Sequence, residues 1–90
     1  MPTPERNRLA AALRRSGEDV PRVVALGRGR FAEEIVAAAE AAGVPLREDP
    51  LLAEALSALE LDDRIPPELY QAVAEALLWA YRLSQSVTVP

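Results

Sequence analysis

The chain has 90 residues and a mass of 9.7 kDa, which is the size of one small domain. Half of the residues are hydrophobic and 27% are charged, as in globular rather than disordered proteins. Cys and His are both absent, which excludes disulfides, thiolate or imidazole chemistry, and zinc sites built on these ligands. We expect no cofactor and no bound metal. The formal net charge of −4 argues against a dedicated nucleic-acid-binding protein.

The charges are unevenly distributed, and every basic residue is Arg. Residues 1–30 carry seven arginines against three acidic residues, a net charge of +4, whereas residues 31–90 carry three against eleven, a net charge of −8. No apolar run reaches the roughly 18 residues that a transmembrane helix needs. The N-terminus lacks the pattern of a secretory signal. We therefore expect a cytoplasmic protein that does not insert directly into a membrane.

The first third of the chain predicts an arm followed by extended structure. Residues 1–8 contain two prolines and no core periodicity, which predicts a flexible arm. Residues 9–15 (LAAALRR) favour a helix by propensity, but the run is short, and a strand is possible if tertiary contacts override propensity. Residues 21–26 (PRVVAL) predict a strand, and their continuous apolar run suggests burial on both faces.

The middle of the chain predicts a strand–helix–strand unit. Residues 27–30 turn the chain, and residues 31–42 place apolar side chains at helical spacing. Gly43 is positioned to end this helix in the left-handed conformation, and Pro45 prevents its continuation. Residues 44–46 are a short strand candidate that returns parallel to the first strand.

Two more helices are predicted before the end of the chain. Asp49 caps the first of them and Pro50 takes its first helical position; this helix fades before Asp62. Pro67 opens the last helix, which runs to about residue 83. Apolar side chains cover most of its surface, which is typical of a helix packed on more than one side. Residues 86–90 are predicted to form a frayed tail.

The local motifs carry only weak signals for chemistry. Two glycines, Gly27 and Gly29, separate a strand from a helix and could present N–H groups to a phosphate. The favoured interpretation is a tight turn that lets the strand and the helix pack, because the motif lacks the third glycine of a dinucleotide fingerprint. The acidic pair Asp62 and Asp63 matches no metal-binding loop spacing, and no serine has a base to activate it.

One apolar cluster has two interpretations. Leu78, Trp79 and Tyr81 extend the apolar surface of the last helix. Exposed Trp and Tyr side chains are enriched at protein interfaces, so the cluster could be a docking surface. Ordinary core packing accounts for the same pattern, and the sequence leaves both interpretations open.

Three segments together resemble a known family. They are residues 21–27 (PRVVALG), residues 43–56 (GVPLREDPLLAEAL) and residues 65–83 (IPPELYQAVAEALLWAYRL). In this order they resemble the cytoplasmic domain of the FlhB/YscU/EscU proteins, the export-apparatus switch proteins of flagellar and virulence type III secretion. The resemblance covers roughly residues 9–83, and the last segment is its most specific part. The chain looks most like the stand-alone, FlhX-type homologues of that domain.

The chain departs from the family pattern at three points. The family carries an Asn-Pro-Thr-His motif at which it cleaves itself, but the corresponding residues 5–8 are ERNR, and Asn7 is followed by Arg8. Self-cleavage is therefore not expected. The chain shows no counterpart of the family's membrane domain. The Lys that usually precedes the turn glycine is replaced by Leu26.

The resemblance implies an α/β fold, a small mixed sheet of about four strands surrounded by about three to four helices. It places one domain over residues 9–85 and favours a strand for residues 9–15. It implies a non-enzymatic bacterial interaction domain that binds export-gate components or export substrates and not nucleic acid. The alternative is a small anion- or nucleotide-binding domain that uses the turn at residues 27–29. We expect the partner-binding surface to include Gly27, Arg28, Gly29, Arg30, Asp62, Asp63 and Trp79.

Overall fold

The computed structural model describes residues 8–17, 19–80 and 86–90. Within these ranges a three-stranded antiparallel sheet packs with three helices, which confirms the α/β class. None of these helices is long and apolar enough to cross a membrane. The elements are β1 (Leu9–Arg14), β2 (Arg22–Arg28), α1 (Arg30–Ala41), α2 (Pro50–Leu56), a 3₁₀ turn (Pro67–Leu69), α3 (Tyr70–Ala80) and β3 (Ser86–Val89).

The sheet is built around β1, which pairs antiparallel with β2 on one side and with β3 on the other. The sequence of β1 favours a helix by propensity, so the strand exists because both of its edges find partners. Ala11 and Leu13 point to one face of the sheet and are buried, and Ala10 points to the other face and is also buried. This outcome confirms the strand that the family resemblance favoured.

The fourth strand of the predicted sheet is reduced to a single bridge. Leu46 pairs in parallel with Thr88 of β3, and does not lie beside β2 as the strand–helix–strand prediction placed it. Two hydrogen bonds hold the bridge: Thr88 N–H donates to the Pro45 carbonyl at 3.0 Å, and Arg47 N–H donates to the Thr88 carbonyl at 2.9 Å. Proline has no N–H to extend this ladder, so the described sheet has three full strands.

The prediction that β2 is buried on both faces is wrong, and a β-bulge is the reason. The pairing with β1 shifts between Ala12 and Leu13, so that Ala12 faces Ala25 while Leu13 faces Val23. Val24 is the extra residue of the bulge, and 49% of its surface is exposed. The bulge turns both Val23 and Leu26 toward the same core although they are three residues apart.

Helices cover both faces of the sheet. The larger core lies between one face and the helices α2 and α3. On the other face α1 lies directly over Gly27, whose backbone is so close that a Cβ there would come within 2.7 Å of Ile35 Cδ1 and 2.8 Å of the Phe31 carbonyl carbon. The buried residues of the larger core are Ala11, Leu13, Val23, Leu52, Ala53, Leu56, Ile65, Val73, Ala76, Ala80, Val87 and Val89.

The predicted start of α2 and the predicted end of α1 are confirmed, whereas Pro67 opens a 3₁₀ turn and the last α-helix begins at Tyr70. Asp49 caps α2 by accepting a hydrogen bond from Leu52 N–H at 3.1 Å, and Pro50 takes the first helical position. Gly43 adopts the left-handed conformation with φ of 72° after α1. Next to it, Val44 N–H donates to the Ala39 carbonyl at 2.8 Å, which satisfies an end carbonyl of the helix.

The prediction of a frayed tail over residues 86–90 is wrong. Ser86–Val89 form β3, and Val87 and Val89 are completely buried. The error arose because a four-residue run at the end of a chain shows too little alternation to indicate a strand. The arm predicted for residues 1–8 lies outside the described residues except for Arg8, and so does the part of the last helix predicted beyond Ala80.

We expect Gly27→Ala to lower the free energy of unfolding by about 1–3 kcal/mol, because the added methyl group overpacks the contact with α1. Adding Ile35→Val removes the Cδ1 atom at 2.7 Å but leaves the helix backbone in place, so the double variant should recover only part of the loss. Gly17→Asn is the control, since nothing lies within 4 Å of that site and Asn tolerates its φ of 59°. Urea unfolding measures all three, and an unchanged Gly27→Ala variant would contradict the packing described.

We expect Val87→Ala to lower the free energy of unfolding by about 2–3 kcal/mol, because it opens a cavity in the core. The matched control is Val24→Ala, which removes the same atoms from a half-exposed site and should cost under about 1 kcal/mol. Equal losses in the two variants would show that β3 does not belong to the core.

Candidate partner-binding site

The structure separates the two charged segments that the sequence placed in one surface. The acidic loop (residues 60–63) lies beside the start of β2, where Asp62 N–H donates to the Val23 carbonyl at 2.7 Å and Val23 N–H donates to the Asp63 carbonyl at 3.1 Å. The basic turn (residues 27–30) lies at the opposite end of the same strand. Five residues of strand, about 17 Å, therefore separate them.

The acidic loop is a structured cover for the first half of β2. Arg22 donates a hydrogen bond from its guanidinium to the Asp62 carbonyl at 3.0 Å. The Asp63 carboxylate accepts the Glu60 N–H at 2.9 Å, so it shapes the loop itself. Asp62 takes a positive φ of 68°, which Asp tolerates better than most residues, and its side chain is exposed. Within the described ranges, no three acidic residues are grouped closely enough to hold a metal ion.

The glycines of the basic turn serve packing and chain direction. Gly27 admits α1 to the sheet, and Gly29 precedes α1 with a positive φ of 62°. The Gly29 N–H already donates to the Arg8 carbonyl at 2.9 Å, so it is not free to bind a phosphate. Arg30 stacks over the Phe31 ring, with 5.4 Å from its guanidinium carbon to the ring centroid. These contacts give no support to the anion- or nucleotide-binding alternative.

The end of α3 presents apolar side chains to solvent. Trp79 is 49% exposed and Leu78 is 73% exposed. Their neighbours Val73, Ala76 and Ala80 on the same helix are buried against the sheet. The structure thus places Trp79 at the surface of the domain, on a different element from both charged segments.

A groove of about 480 Å³ runs between α3 and the segment that leads into β2. We call it the α3 groove. Its lining includes buried Ile65 and Val73 together with the exposed side chains of Tyr70 and Leu78. The full lining is Arg15, Asp19, Val20, Pro21, Ile65, Tyr70, Val73, Ala74, Leu77 and Leu78.

The chemistry of the α3 groove suits an apolar peptide segment. Eight of its ten lining residues are apolar or aromatic, and its volume is that of a small binding cleft. Arg15 and Asp19 add one charge of each sign, which can orient a bound chain without setting a net charge preference. The ten lining residues include no pairing of a nucleophile with a base.

Sequence reasoning found only part of this groove. The sequence indicates the apolar surface of the last helix, which includes Leu78, but it places Pro21 only at the edge of a strand and Val20 in no predicted element. One sequence feature could have indicated the groove. Apolar side chains cover almost the whole circumference of the last helix, and a domain of this size is too small to bury that helix on every side. Trp79, although exposed, is not among the residues that line the groove.

Comparison with known proteins identifies the relatives of the chain. The family model described as the "FlhB HrpN YscU SpaS Family" matches residues 6–80. A Bacillus subtilis protein, the uncharacterized protein YlqH, is 41% identical over 85 residues, covering 94% of this chain and 91% of YlqH. The flagellar biosynthetic protein FlhB of Aquifex aeolicus is 40% identical over 74 residues. The hypersensitivity response secretion protein HrcU of Ralstonia nicotianae is 33% identical over 81 residues.

The longer relatives extend well beyond the matched region. The matches cover 79% of this chain but 21% of FlhB, and 88% of this chain but 23% of HrcU. The chain thus spans about a fifth of the length of these two relatives, and the activity of the whole FlhB or HrcU protein is not carried over with the match.

Titration with inorganic phosphate tests the anion-binding alternative. Because the Gly29 N–H is engaged by the Arg8 carbonyl, we expect no saturable shift of the amide signals of residues 27–31 below millimolar phosphate in two-dimensional NMR spectra. Sodium chloride at matched ionic strength is the control for general screening. A saturable shift at micromolar phosphate would restore the alternative.

Proposed function

This chain belongs to the FlhB HrpN YscU SpaS family, and we propose that it is a non-enzymatic interaction domain of flagellar or type III protein export. The family's export-apparatus relatives include FlhB, named for flagellar biosynthesis, and HrcU, named for secretion. In this proposal the domain works in the cytoplasm and recognises export-gate components or export substrates. Its role resembles that of the family's switch domain, without self-cleavage.

The α3 groove carries this proposal. Its mostly apolar lining includes buried Ile65 and Val73 and the large, exposed side chains of Tyr70 and Leu78. Such a groove can receive a few apolar side chains of a short peptide segment, as helix or extended chain. Binding there buries Leu78 and Tyr70, which the free domain leaves in water.

The chemistry of the sequence supports recognition without catalysis. Cys and His are absent, so the usual nucleophile and the usual base near neutral pH are both missing. The self-cleaving Asn-Pro pair of the family has no counterpart, because Asn7 is followed by Arg8. A partner bound to this domain is therefore held and released, and not chemically altered by it.

Replacing Leu78 by Asp tests the groove. The variant places a charge where an apolar side chain must be buried, and we expect binding of export partners to weaken at least about tenfold. Stability should change by less than about 0.5 kcal/mol, because Leu78 is exposed. The measurement is quantitative mass spectrometry of proteins retained by the immobilised chain from a lysate of a flagellated bacterium.

The matched control is Leu51→Asp, which makes the same change at an 81% exposed leucine on α2, outside the groove. Wild type and Leu51→Asp should retain the same export-gate components or export substrates, and Leu78→Asp should lose them. Equal retention by both variants would rule out the groove as the binding site. Retention of no export component by wild type would contradict the proposed function itself.

A further inference from the structure

The strand β2 has an open edge. It lies at the end of the sheet, with β1 on one side only. On the other side of β2, the acidic loop forms hydrogen bonds with the backbone of Val23. Just before the strand begins, Ile65 N–H donates to the Pro21 carbonyl at 3.1 Å on the same side. Beyond the bulge at Val24, residues 25–28 have no strand neighbour on that side among the described residues.

The hydrogen-bonding groups of this edge alternate in direction. Gly29 N–H donates toward β1, to the Arg8 carbonyl, and Val23 N–H donates away from it, to the Asp63 carbonyl. Counted back from Gly29 as far as the bulge, alternation points the backbone groups of Arg28 and Leu26 outward. The extra residue of the bulge shifts the alternation by one, so the backbone groups of Val23 also point outward. An edge of this kind is a template for another strand.

Opposite charges lie at the two ends of the open edge. The acidic loop, with exposed Asp62, stands at the start of β2, and the basic turn, with exposed Arg28 and Arg30, stands at its end. A strand running antiparallel to β2 would complement this edge if it carried a positive charge at its end and a negative charge at its start. The β2 strand of a second copy has this arrangement.

We propose that two copies of the chain associate through antiparallel pairing of their β2 edges. A two-fold axis near Leu26 places Arg28 of one copy opposite Val24 of the other, next to its Asp62. Because the axis repeats the contact, each dimer gains the complementary pairing twice. Val24, which lies on this strand and is half-exposed, adds apolar surface to the interface.

The association is weak and depends on salt. The new strand pairing spans only residues 24–28 of each copy, which is a small interface. We expect a dissociation constant between about 10 µM and 1 mM at low ionic strength. Added salt should weaken it, because the charged groups at both ends of the edge are exposed to solvent.

Charge exchange between two variants tests the pairing. Arg28→Glu sets two acidic groups against each other in its own dimer, and Asp62→Arg sets two basic groups against each other. Each variant alone should dimerise at least about tenfold more weakly than wild type. An equimolar mixture of the two restores both oppositely charged pairs, so we expect it to form a heterodimer near wild-type affinity. Sedimentation velocity over about 10 µM to 1 mM protein measures all three samples.

Two further variants provide a replacement for Asp62→Arg and a control. If Asp62→Arg lowers the melting temperature, Glu60→Arg takes its place in the mixing experiment. Glu60 belongs to the same acidic loop and does not have the positive φ of Asp62. Leu78→Asp, in the α3 groove, should leave dimerisation unchanged, which separates this proposal from the proposed function. A wild-type chain that stays monomeric up to 1 mM, or a mixture no more associated than its separate components, would overturn the proposal.

Discussion

The fold depends on β1 being held as a strand from both sides. Its sequence, LAAALR, is better suited to a helix than to a sheet, so it is extended only while β2 and β3 pair with its two edges. The same small residues that weaken its strand propensity let helices approach both faces closely. Ala10 lies buried on the α1 side, and Ala11 and Leu13 lie in the core on the opposite side. Tertiary contacts, and not local preference, decide the architecture.

This central position of β1 determines which surfaces are left for partners. With β3 and Leu46 closing one side of the sheet, the open backbone edge is at β2, and the acidic loop covers only its first half. A domain of this size has too few residues to cover α3 on every side. Some apolar side chains of α3 therefore pack in the core, and others line the α3 groove. The open edge and the α3 groove have the same cause: a domain this small cannot cover every edge of its sheet and every face of its helices.

The sequence predicted the elements with strong local signals and missed those that depend on long-range pairing. The cap at Asp49, the left-handed Gly43 and the helix that ends beside it are set by neighbouring residues, and the structure confirms them. The bulge at Val24 depends on register with a distant strand, and β3 is short, so neither could be recognised from its own residues. The sequence predicted only the α3 side of the groove. Val20 and Pro21 are distant from α3 in the sequence and meet it only in the folded domain. The family resemblance predicted the strand β1, whereas propensity favoured a helix for the same residues.

The boundary of the family match and the boundary of the physical domain differ. The match ends at residue 80, yet Val87 and Val89 are completely buried and β3 forms one side of the central strand. Residues 6–80 therefore contain the α3 groove but not the whole sheet that supports it. Helix α3 contacts β3 directly, so the helix that forms one wall of the groove is held in part by a strand outside the matched region. The groove and the closure of the sheet at β3 are thus linked through α3, and the smallest unit able to present the groove includes residues 86–89.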